Sequence, residues 1–379
     1  MSLATNRQNG EPVISLDNVT IEFDNTKLFG RRGSTVHAVD KVSLDVFENE
    51  VVALVGESGC GKTTLGKTAI GLHRPTSGTV KFRGQDIWEA KDLARKPWRY
   101  KARQELDIPF RTIRRSLQMV HQDPESALNA NYTVESLLSD PLARWEPQLQ
   151  VADRRARIYG LLEYVGMSPA EDYAGRYPHQ LSGGEQQRVA LIRALLLNPD
   201  MILADEAVSA LDVSLRVETM DLLLELQRQF NTSYLFISHN LSNARYLAEK
   251  SGGRIAVMYL GKIVEIGEPH QIIHNPKHPY TEVLRWATGD IHADGQATEP
   301  PIRTLDIPDS SNPPPGCAFH TRCPYARPSC RNEIPETIVV ENNHTVKCFR
   351  EEPDHNYWDE EPLYDQDMAA VLQLGSEKK

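Results

Sequence analysis

Residues 51–63, VVALVGESGCGKT, decide the fold of this chain, because a short apolar run passes directly into a glycine-rich loop. The loop fits the pattern G-x-x-x-x-G-K-[ST], and a helical pattern follows over residues 65–72. In such a strand–loop–helix unit, backbone N–H groups and the helix N-terminus surround phosphate oxygens. Lys62 would contact the β- and γ-phosphates, and the Thr63 hydroxyl would ligate Mg²⁺. The alternative is a plain glycine turn, but the matched context favours nucleotide binding.

Two further apolar runs end in residues with chemical functions. Residues 201–204 precede Asp205 and Glu206, and residues 234–237 lie just before His239. Short β-rich runs that alternate with helical patterns predict an α/β fold, with a mostly parallel sheet and helices on both faces. Ligands bind at the carboxyl ends of such strands. Asp205 then suits Mg²⁺ and Glu206 suits the attacking water, whereas the alternative is an acidic pair that caps the next helix.

A second candidate phosphate site lies in residues 181–186, LSGGEQ. Ser182 and Glu185 have the spacing of a capping box, and a well-capped helix start is the alternative interpretation. The glycines at 183 and 184 favour a further role, because they weaken a helix while allowing close backbone approach. Two phosphate-binding devices in one chain predict that each nucleotide is shared between two subunits.

Pattern and composition divide the rest of the chain. Residues 13–23 and 42–46 alternate apolar and polar side chains, as half-buried strands do, and residues 125–200 are mainly helical. A linker runs through residues 289–301, where Gly and Pro frame an aperiodic segment. The predicted organisation is a nucleotide-binding domain over residues 1–267 with a helical subdomain at 125–200, a C-terminal extension over 268–349 and an acidic tail over 350–379.

Charge and hydropathy exclude several classes of protein. The net charge is −10, and residues 350–379 hold nine acidic and three basic side chains, as expected of a solvated tail. Residues 91–115 form a basic stretch, interpreted as a solvated face, with contact to lipid headgroups or to a partner as the alternative. No run approaches ~18 apolar residues and the start lacks a signal peptide, so we expect a cytoplasmic chain. Nothing favours a nucleic-acid partner.

Four features together resemble the nucleotide-binding subunits of ABC transporters, over about residues 13–267. They are the loop at 56–63, the segment at 181–186, the Asp205-Glu206 pair and His239. The resemblance implies a P-loop NTPase core, in which the mostly parallel sheet is joined by an antiparallel β subdomain and a helical subdomain. It also implies hydrolysis of ATP with Mg²⁺.

The same resemblance assigns individual residues. Gln122 is similar to the Q-loop glutamine that touches Mg²⁺ and relays to the membrane subunit, Asp212 to the D-loop aspartate, and His239 to the switch histidine at the γ-phosphate. Phe23 sits where the family stacks a ring on adenine; without the resemblance it would be a core strand residue and His239 a satisfied strand-end histidine. The implied catalytic residues are Glu206, His239 and Gln122, and the Mg²⁺ ligands are Thr63, Gln122 and Asp205. The implied nucleotide contacts are Phe23, Gly56, Glu57, Ser58, Gly59, Cys60, Gly61, Lys62, Thr63, Thr64, Ser182, Gly183, Gly184, Glu185 and Asp212.

Two finer features resemble the oligopeptide/dipeptide importer subfamily. Residues 205–214, DEAVSALDVS, are close to the signature of one of its two paralogous ATPases, and residues 278–281, HPYT, match the motif that opens its C-terminal extension. The resemblance implies uptake of peptides or a related small solute at the cytoplasmic face of the membrane. The implied partners are a paralogous ATPase in a heterodimer, two permease subunits and an extracellular binding protein. The chain departs from the pattern at Ala207 and Ala130, where proline is usual, so the turn after Glu206 is expected to be less rigid.

Four of the five cysteines lie near the C-terminus, at Cys317, Cys323, Cys330 and Cys348. Four thiolates can close a site for an iron–sulfur cluster or for zinc, and the lack of a C-x₂-C pair disfavours a zinc ribbon. The resembled extension carries cysteines at similar spacing and a [4Fe–4S] cluster, which favours the cluster over zinc or free structural thiols. Its expected role is to staple a small module. The fifth, Cys60, lies in the phosphate loop, where we expect alkylation to lower ATPase activity and ATP to protect.

Two other functions stand as alternatives. One is a soluble ABC ATPase in DNA repair or on the ribosome, although such proteins usually carry two ATPase cores or a long coiled coil, and neither pattern occurs in this sequence. The other is a redox or sensing protein built around the cysteines. The ATPase does not touch the cargo, so the sequence does not distinguish peptides, oligosaccharides and nickel-type complexes.

Overall fold

The computed structural model describes residues 10–24, 35–95, 106–288, 302–341 and 343–352. The linker at 289–301, the middle of the basic stretch at 96–105 and the acidic tail beyond residue 352 lie outside these ranges.

The strands in the described ranges form two sheets, and the strands predicted at 13–23, 42–46, 51–55, 201–204 and 234–237 are confirmed. The strands of the two sheets are β1 (Ile14–Asp24), β2 (Thr35–Val46), β3 (Val51–Val55), β4 (Ser77–Phe82), β5 (Gln85–Asp86), β6 (Leu117–Val120), β7 (Met201–Asp205), β8 (Ser233–Ser238), β9 (Arg254–Tyr259), β10 (Lys262–Gly267), β11 (Ile338–Glu341) and β12 (His344–Val346). The smaller sheet is antiparallel in the order β2-β1-β4-β5. The alternating apolar residues Val19 and Ile21 of β1 are buried in it, as the period of two requires.

The larger sheet has the order β11-β12-β10-β9-β3-β8-β7-β6. Strands β9, β3, β8, β7 and β6 run parallel, and β10, β12 and β11 extend the sheet with antiparallel pairing. Strand β3 is buried on both faces. Val51, Ala53 and Val55 pack in one core, while Val52 and Leu54 pack in the core on the opposite face. This is the covered parallel sheet that the apolar runs predict.

The helices are placed as the predicted α/β fold requires. In the described ranges they are α1 (Lys62–Ala69), α2 (Ile87–Ala94), α3 (Phe110–Ser116), α4 (Pro124–Ala127), α5 (Val134–Trp145), α6 (Val151–Tyr164), α7 (Ala170–Ala174), α8 (Gly183–Leu195), α9 (Val213–Phe230), α10 (Leu241–Ser251), α11 (Pro269–His274), α12 (Pro279–Ala287) and α13 (Pro328–Asn332). No helix of the described ranges has both the length and the apolar character needed to cross a membrane.

Helices α5 to α8 form a third core of their own. Leu138, Ile158 and Leu162 pack together in it with Val189 and Ile192 of α8. Helix α8 also faces the large sheet, because its Leu191 and Leu195 belong to the sheet's core. The two apolar stripes of α8 therefore join the helical region to the sheet.

The chain beyond Gly267 is more regular than its sequence pattern indicates. Strand β12 pairs with β10, with Glu265 opposite Val346, so the C-terminal region supplies one edge of the large sheet. The carboxylate of Glu265 is buried and accepts hydrogen bonds from the N–H groups of Lys277 (2.7 Å) and His278 (3.0 Å) and from His344 Nε2 (2.7 Å). Strands of three or four residues are too short to show a period.

Candidate active site

The phosphate loop connects β3 to α1, as predicted, and two of its positions can hold only glycine. Gly61 has φ +105°, and a Cβ there would lie 2.1 Å from the carbonyl oxygen of Ala38. A Cβ on Gly56 would lie 2.1 Å from the carbonyl oxygen of Met258. The loop is thus pressed between β2 and β9, and only glycine permits this approach.

The side chain of Lys62 turns back onto the start of this loop. Its ammonium donates hydrogen bonds to the carbonyl oxygens of Gly56 at 2.8 Å and Glu57 at 2.9 Å, and the residue is only 5 % exposed. Ser58 and Gly59, at the tip, are exposed. Cys60 is buried beneath the loop with its sulfur 3.8 Å from Lys62 Nζ, and burial raises the pKa of its thiol. An alkylating reagent therefore has to reach a covered, protonated sulfur.

The end of β7 brings an acidic pair to the loop. The hydroxyl of Thr63 donates a hydrogen bond to Asp205 Oδ1 at 2.8 Å. Burial raises the pKa of Asp205, and the charge of Glu206 raises it further. Magnesium takes oxygen ligands at about 2.0–2.1 Å in octahedral geometry, which sets neighbouring ligand oxygens about 3 Å apart. The Thr63 and Asp205 oxygens therefore fit adjacent positions on one Mg²⁺ ion.

Glu206 has a strained backbone and a histidine neighbour. Its φ is +49°, a left-handed conformation that non-glycine residues rarely adopt, and its N–H bonds to the carbonyl of Ile237 at 3.1 Å. One carboxylate oxygen lies 3.3 Å from Nδ1 of His239, which follows β8. The structure thus brings together the two side chains that the sequence placed at the ends of separate strands.

Gln122 follows β6 at the same edge of the sheet. Strand β6 pairs with β7 in parallel, and Val120 lies opposite Ala204. Gln122 follows Val120 by two residues, just as Glu206 follows Ala204. Its side chain is exposed. The preceding His121 was not singled out by the sequence. Partial desolvation lowers the pKa of His121, as does the charge of Lys67, while the charge of Asp205 opposes this change.

The segment at 181–186 forms the predicted capping box but stays apart from the loop. Glu185 N–H donates to Ser182 Oγ at 3.3 Å, and Ser182 N–H donates to Glu185 Oε2 at 2.7 Å. Glu185 also interacts with Tyr173 and Arg176, both in the helical region. Ser182 and Gly183 are exposed. Among the hydrogen bonds of the described residues, none joins this segment to the phosphate loop.

Two more of the expected nucleotide contacts are exposed. The ring of Phe23 is 43 % exposed and meets His73 edge-on at 6.2 Å between ring centres, so it is not the core residue of the alternative interpretation. Asp212 caps α9, and its carboxylate accepts from the N–H of Leu215 at 3.0 Å. Thr64 lies in the first turn of α1.

The four C-terminal cysteines line one small cavity of about 20 Å³ together with His278, His320 and Tyr325. All four are free thiols. Burial raises the pKa of Cys317 to about 11, and it also raises the pKa values of Cys323 and Cys348. Within the described ranges, however, no three Cys, His, Asp or Glu side chains stand at the spacing of a metal site. Four thiols are the donor set of a Cys₄ site, but the distances between them are not those of a metal site.

Sequence reasoning missed two residues that touch the loop from the C-terminal region. Arg322 pairs with the carboxylate of Glu57, and the Tyr280 hydroxyl accepts from the Glu57 N–H. In the sequence, Tyr280 stands out only as part of the motif at residues 278–281. Nothing in the local sequence signals the Arg322 contact, because 265 positions separate the partners.

Comparisons with known proteins found two matching families and several similar relatives. Residues 39–209 match the family described as ABC transporter, and residues 264–330 match the oligopeptide/dipeptide transporter, C-terminal region. The chain is 40% identical over 342 residues to the oligopeptide transport ATP-binding protein AppF of Bacillus subtilis, covering 90% of this chain and 98% of that protein. It is 38% identical over 343 residues to the di/tripeptide transport ATP-binding protein DppF of Pseudomonas aeruginosa, with 90% and 98% covered.

A solved structure is also similar. The dimeric post-hydrolysis state of the ATP-binding cassette MJ0796, bound to ADP and Pi, is 27% identical with a TM-score of 0.53, covering 68% of this chain and 98% of that one. The fold, the strand-end residues and the relatives point the same way. The chain therefore belongs to the ABC transporter family, as an ATP-hydrolysing subunit that carries the oligopeptide/dipeptide transporter C-terminal region.

Proposed function

We propose that this chain powers the import of peptides or a related small solute through partner permease subunits. The observation that carries the proposal is the C-terminal region at residues 264–330, whose family is described by oligopeptide and dipeptide transport. Relatives named for peptide transport align over 90% of the chain, which favours an importer over a soluble ABC ATPase of DNA repair or the ribosome. The proposed location is peripheral, at the cytoplasmic face of the membrane.

In the proposed mechanism, backbone N–H groups and side-chain oxygen and nitrogen atoms of this site bind ATP and activate the attacking water. The N–H groups of residues 58–63 and the ammonium of Lys62 bind the β- and γ-phosphates of ATP. Thr63, Asp205 and Gln122 would hold Mg²⁺, which neutralises phosphate charge when bound. Glu206 orients the attacking water and accepts its proton, while His239, 3.3 Å away, holds that carboxylate in place at the γ-phosphate.

We propose that a second subunit completes each ATP site. Ser182 and Gly183 are exposed at a capped helix start, where N–H groups and a hydroxyl suit a phosphate. The proposed neighbour is a paralogous ATPase, with Asp212 near the joint and Phe23 stacked on adenine. Two permease subunits and an extracellular binding protein complete the proposed assembly.

The proposed division of the chain has support from packing in the helical subdomain, whereas its boundary at residue 267 is crossed by strand pairing. The helices of the 125–200 subdomain share a core of their own, which supports treating them as one unit. The proposed boundary between the nucleotide-binding domain (1–267) and the extension (268–349) is crossed by the pairing of β10 with β12. The proposed tail covers residues 350–379.

We further propose that Cys317, Cys323, Cys330 and Cys348 hold a [4Fe–4S] cluster, with zinc as the alternative. Their convergence on one cavity supports the proposal, because either group takes four thiolates. Anaerobic purification followed by iron, sulfide and zinc analysis tests it. About four iron atoms and four sulfides per chain are expected. One zinc per chain would select the alternative, and a metal-free chain would contradict both.

The import function is tested by reconstituting the chain with its partners. ATPase activity should rise when the binding protein carries its ligand, and a panel of peptides, oligosaccharides and nickel complexes identifies the cargo class. Lys62→Ala is the control, because it removes the cation that contacts the phosphates. ATP hydrolysis that no loaded binding protein stimulates would contradict the import function without contradicting the ATPase.

A further inference from the structure

Glu57, the second residue of the phosphate loop, is held by two side chains that no step of the proposed mechanism uses. Arg322 donates two hydrogen bonds to its carboxylate, Nη1 to Oε2 at 2.7 Å and Nη2 to Oε1 at 2.9 Å. The Glu57 N–H donates to the hydroxyl of Tyr280 at 2.8 Å, and its carbonyl accepts from Lys62 at 2.9 Å. Every polar group of Glu57 is therefore engaged, two of them by the C-terminal region.

Arg322 is itself fixed in place. The residue is 2 % exposed, and its guanidinium lies 5.6 Å from the ring centre of Tyr259 and 5.7 Å from that of Phe319. The backbone N–H of Arg322 donates a hydrogen bond to the carbonyl oxygen of Phe319 at 3.0 Å, in the turn that also contains Cys323. Paired hydrogen bonds from a planar guanidinium set both the distance and the orientation of a carboxylate.

Three packed aromatic rings support both contacts to Glu57: Arg322 lies against the cluster, and Tyr280 is one of its members. The ring centres of Tyr259 and Tyr280 lie 4.6 Å apart, and Phe319 lies 5.2 Å from the first and 5.4 Å from the second. Tyr259 ends β9, the strand next to β3. Because packed aromatic rings move little, the position of Glu57 is set by a rigid surface rather than by the loop alone.

We propose that Arg322 and Tyr280 are positioning residues for ATP binding, which hold Glu57 so that the N–H groups of residues 58–63 keep the geometry that phosphate oxygens require. The inference rests on the proposed placement of the ATP phosphates on this loop. A loop that is ordered before ATP arrives loses less conformational entropy on binding. The C-terminal region is thereby part of the nucleotide site, although it touches no phosphate.

The test measures the Kd of MgATP for the full-length chain, by displacement of a fluorescent ATP analogue. Arg322→Ala should weaken ATP binding about tenfold, since a charge-assisted pair is lost. Arg322→Lys should fall between this variant and the wild type. Tyr280→Phe, which deletes one hydroxyl, should weaken binding about threefold. The double variant Glu57→Ala/Arg322→Ala should bind ATP no more weakly than Arg322→Ala alone, because both substitutions release the same loop.

Two matched controls separate positioning from folding. Tyr234→Phe removes a buried hydroxyl that has no hydrogen-bond partner among the described residues, and Arg350→Ala removes a buried arginine of the C-terminal region that lies over the ring of Tyr325. Both should keep wild-type ATP affinity. In the assembled transporter, Arg322→Lys should raise KM for ATP more than it lowers kcat.

The outcomes are distinct. If Arg322→Lys and Tyr280→Phe fold and bind ATP as tightly as Tyr234→Phe, the positioning role is wrong, even if Arg322→Ala fails to fold. If the wild type binds no ATP, or Lys62→Ala binds it equally well, the proposed placement of the phosphates is wrong instead.

Discussion

Glu206 carries the sharpest prediction at the residue scale. Its carboxylate is held 3.3 Å from His239 at the end of a strand, on a backbone with φ +49°. Glu206→Gln keeps the shape and removes the base, so ATP binding should persist while turnover falls by at least about 100-fold. Single-turnover hydrolysis and ATP affinity measure the two effects. Glu225→Gln, at the exposed partner of Tyr164, is the control, and near-normal hydrolysis by Glu206→Gln would overturn the assignment of the base.

Asp205 supports a prediction about pH. Because burial raises its pKa, the protonated carboxyl is favoured in the folded chain, and the stability that it contributes at low pH is lost as the pH rises through the folded pKa. Asp205→Asn removes this loss. The variant without nucleotide should therefore melt at a higher temperature than wild type at pH 8, and the difference should shrink towards pH 4.

Melting curves in the presence of EDTA measure this effect, and Asp140→Asn, at an exposed aspartate, controls for the change in net charge. The same Asp205→Asn substitution removes a charged Mg²⁺ ligand and should lower ATPase activity on the order of 100-fold. A variant that melts below wild type at pH 8 would show that the carboxylate stabilises the empty site.

At the element scale, the start of α8 has a structural and a proposed chemical role that substitution can separate. Ser182→Ala removes the cap and should cost about 1 kcal/mol of stability. Thr133→Ala removes the matching cap of α5, where Oγ1 accepts from the N–H of Ser136 at 3.3 Å, and should cost a similar amount.

Only Ser182→Ala should reduce the ATPase activity of the assembled transporter, by about tenfold or more, because its hydroxyl is proposed to meet a partner's ATP. ATP binding by the isolated chain should not change for either variant. Equal activity of the two variants in the assembly would leave the segment with its capping role alone.

The elements that the sequence predicted are those with local causes. The fully apolar run at Val51–Val55 and the capping spacing of Ser182 and Glu185 act within a few residues, and both appear as expected. The β11–β12 hairpin was missed because its strands are short and its stability comes from pairing with β10. The Arg322–Glu57 pair was missed for a related reason, since only tertiary folding brings the two together.

At the scale of the whole molecule, the nucleotide-binding core and the C-terminal region share one hydrophobic core. Phe319 and Ala326 pack in the same cluster as Val55 of β3 and Phe236 of β8. Strand β12 continues the catalytic sheet, and the carboxylate of Glu265 joins both parts through hydrogen bonds. A division of the chain by sequence at residue 267 therefore does not correspond to a division in packing.

One substitution tests whether the two parts unfold together. Phe319 is 1 % exposed and touches Tyr259 and Tyr280, one from each side of that division. Phe319→Ala should cost about 3–5 kcal/mol, and calorimetry should show the main transition moving as a whole. Phe23→Ala, at a ring that is 43 % exposed, should change stability by no more than about 0.5 kcal/mol while weakening ATP binding. If Phe319→Ala instead splits off a small transition and leaves the main one unmoved, the C-terminal region is an independent domain, because a shared core cannot lose a central ring without destabilising both of the parts that pack on it.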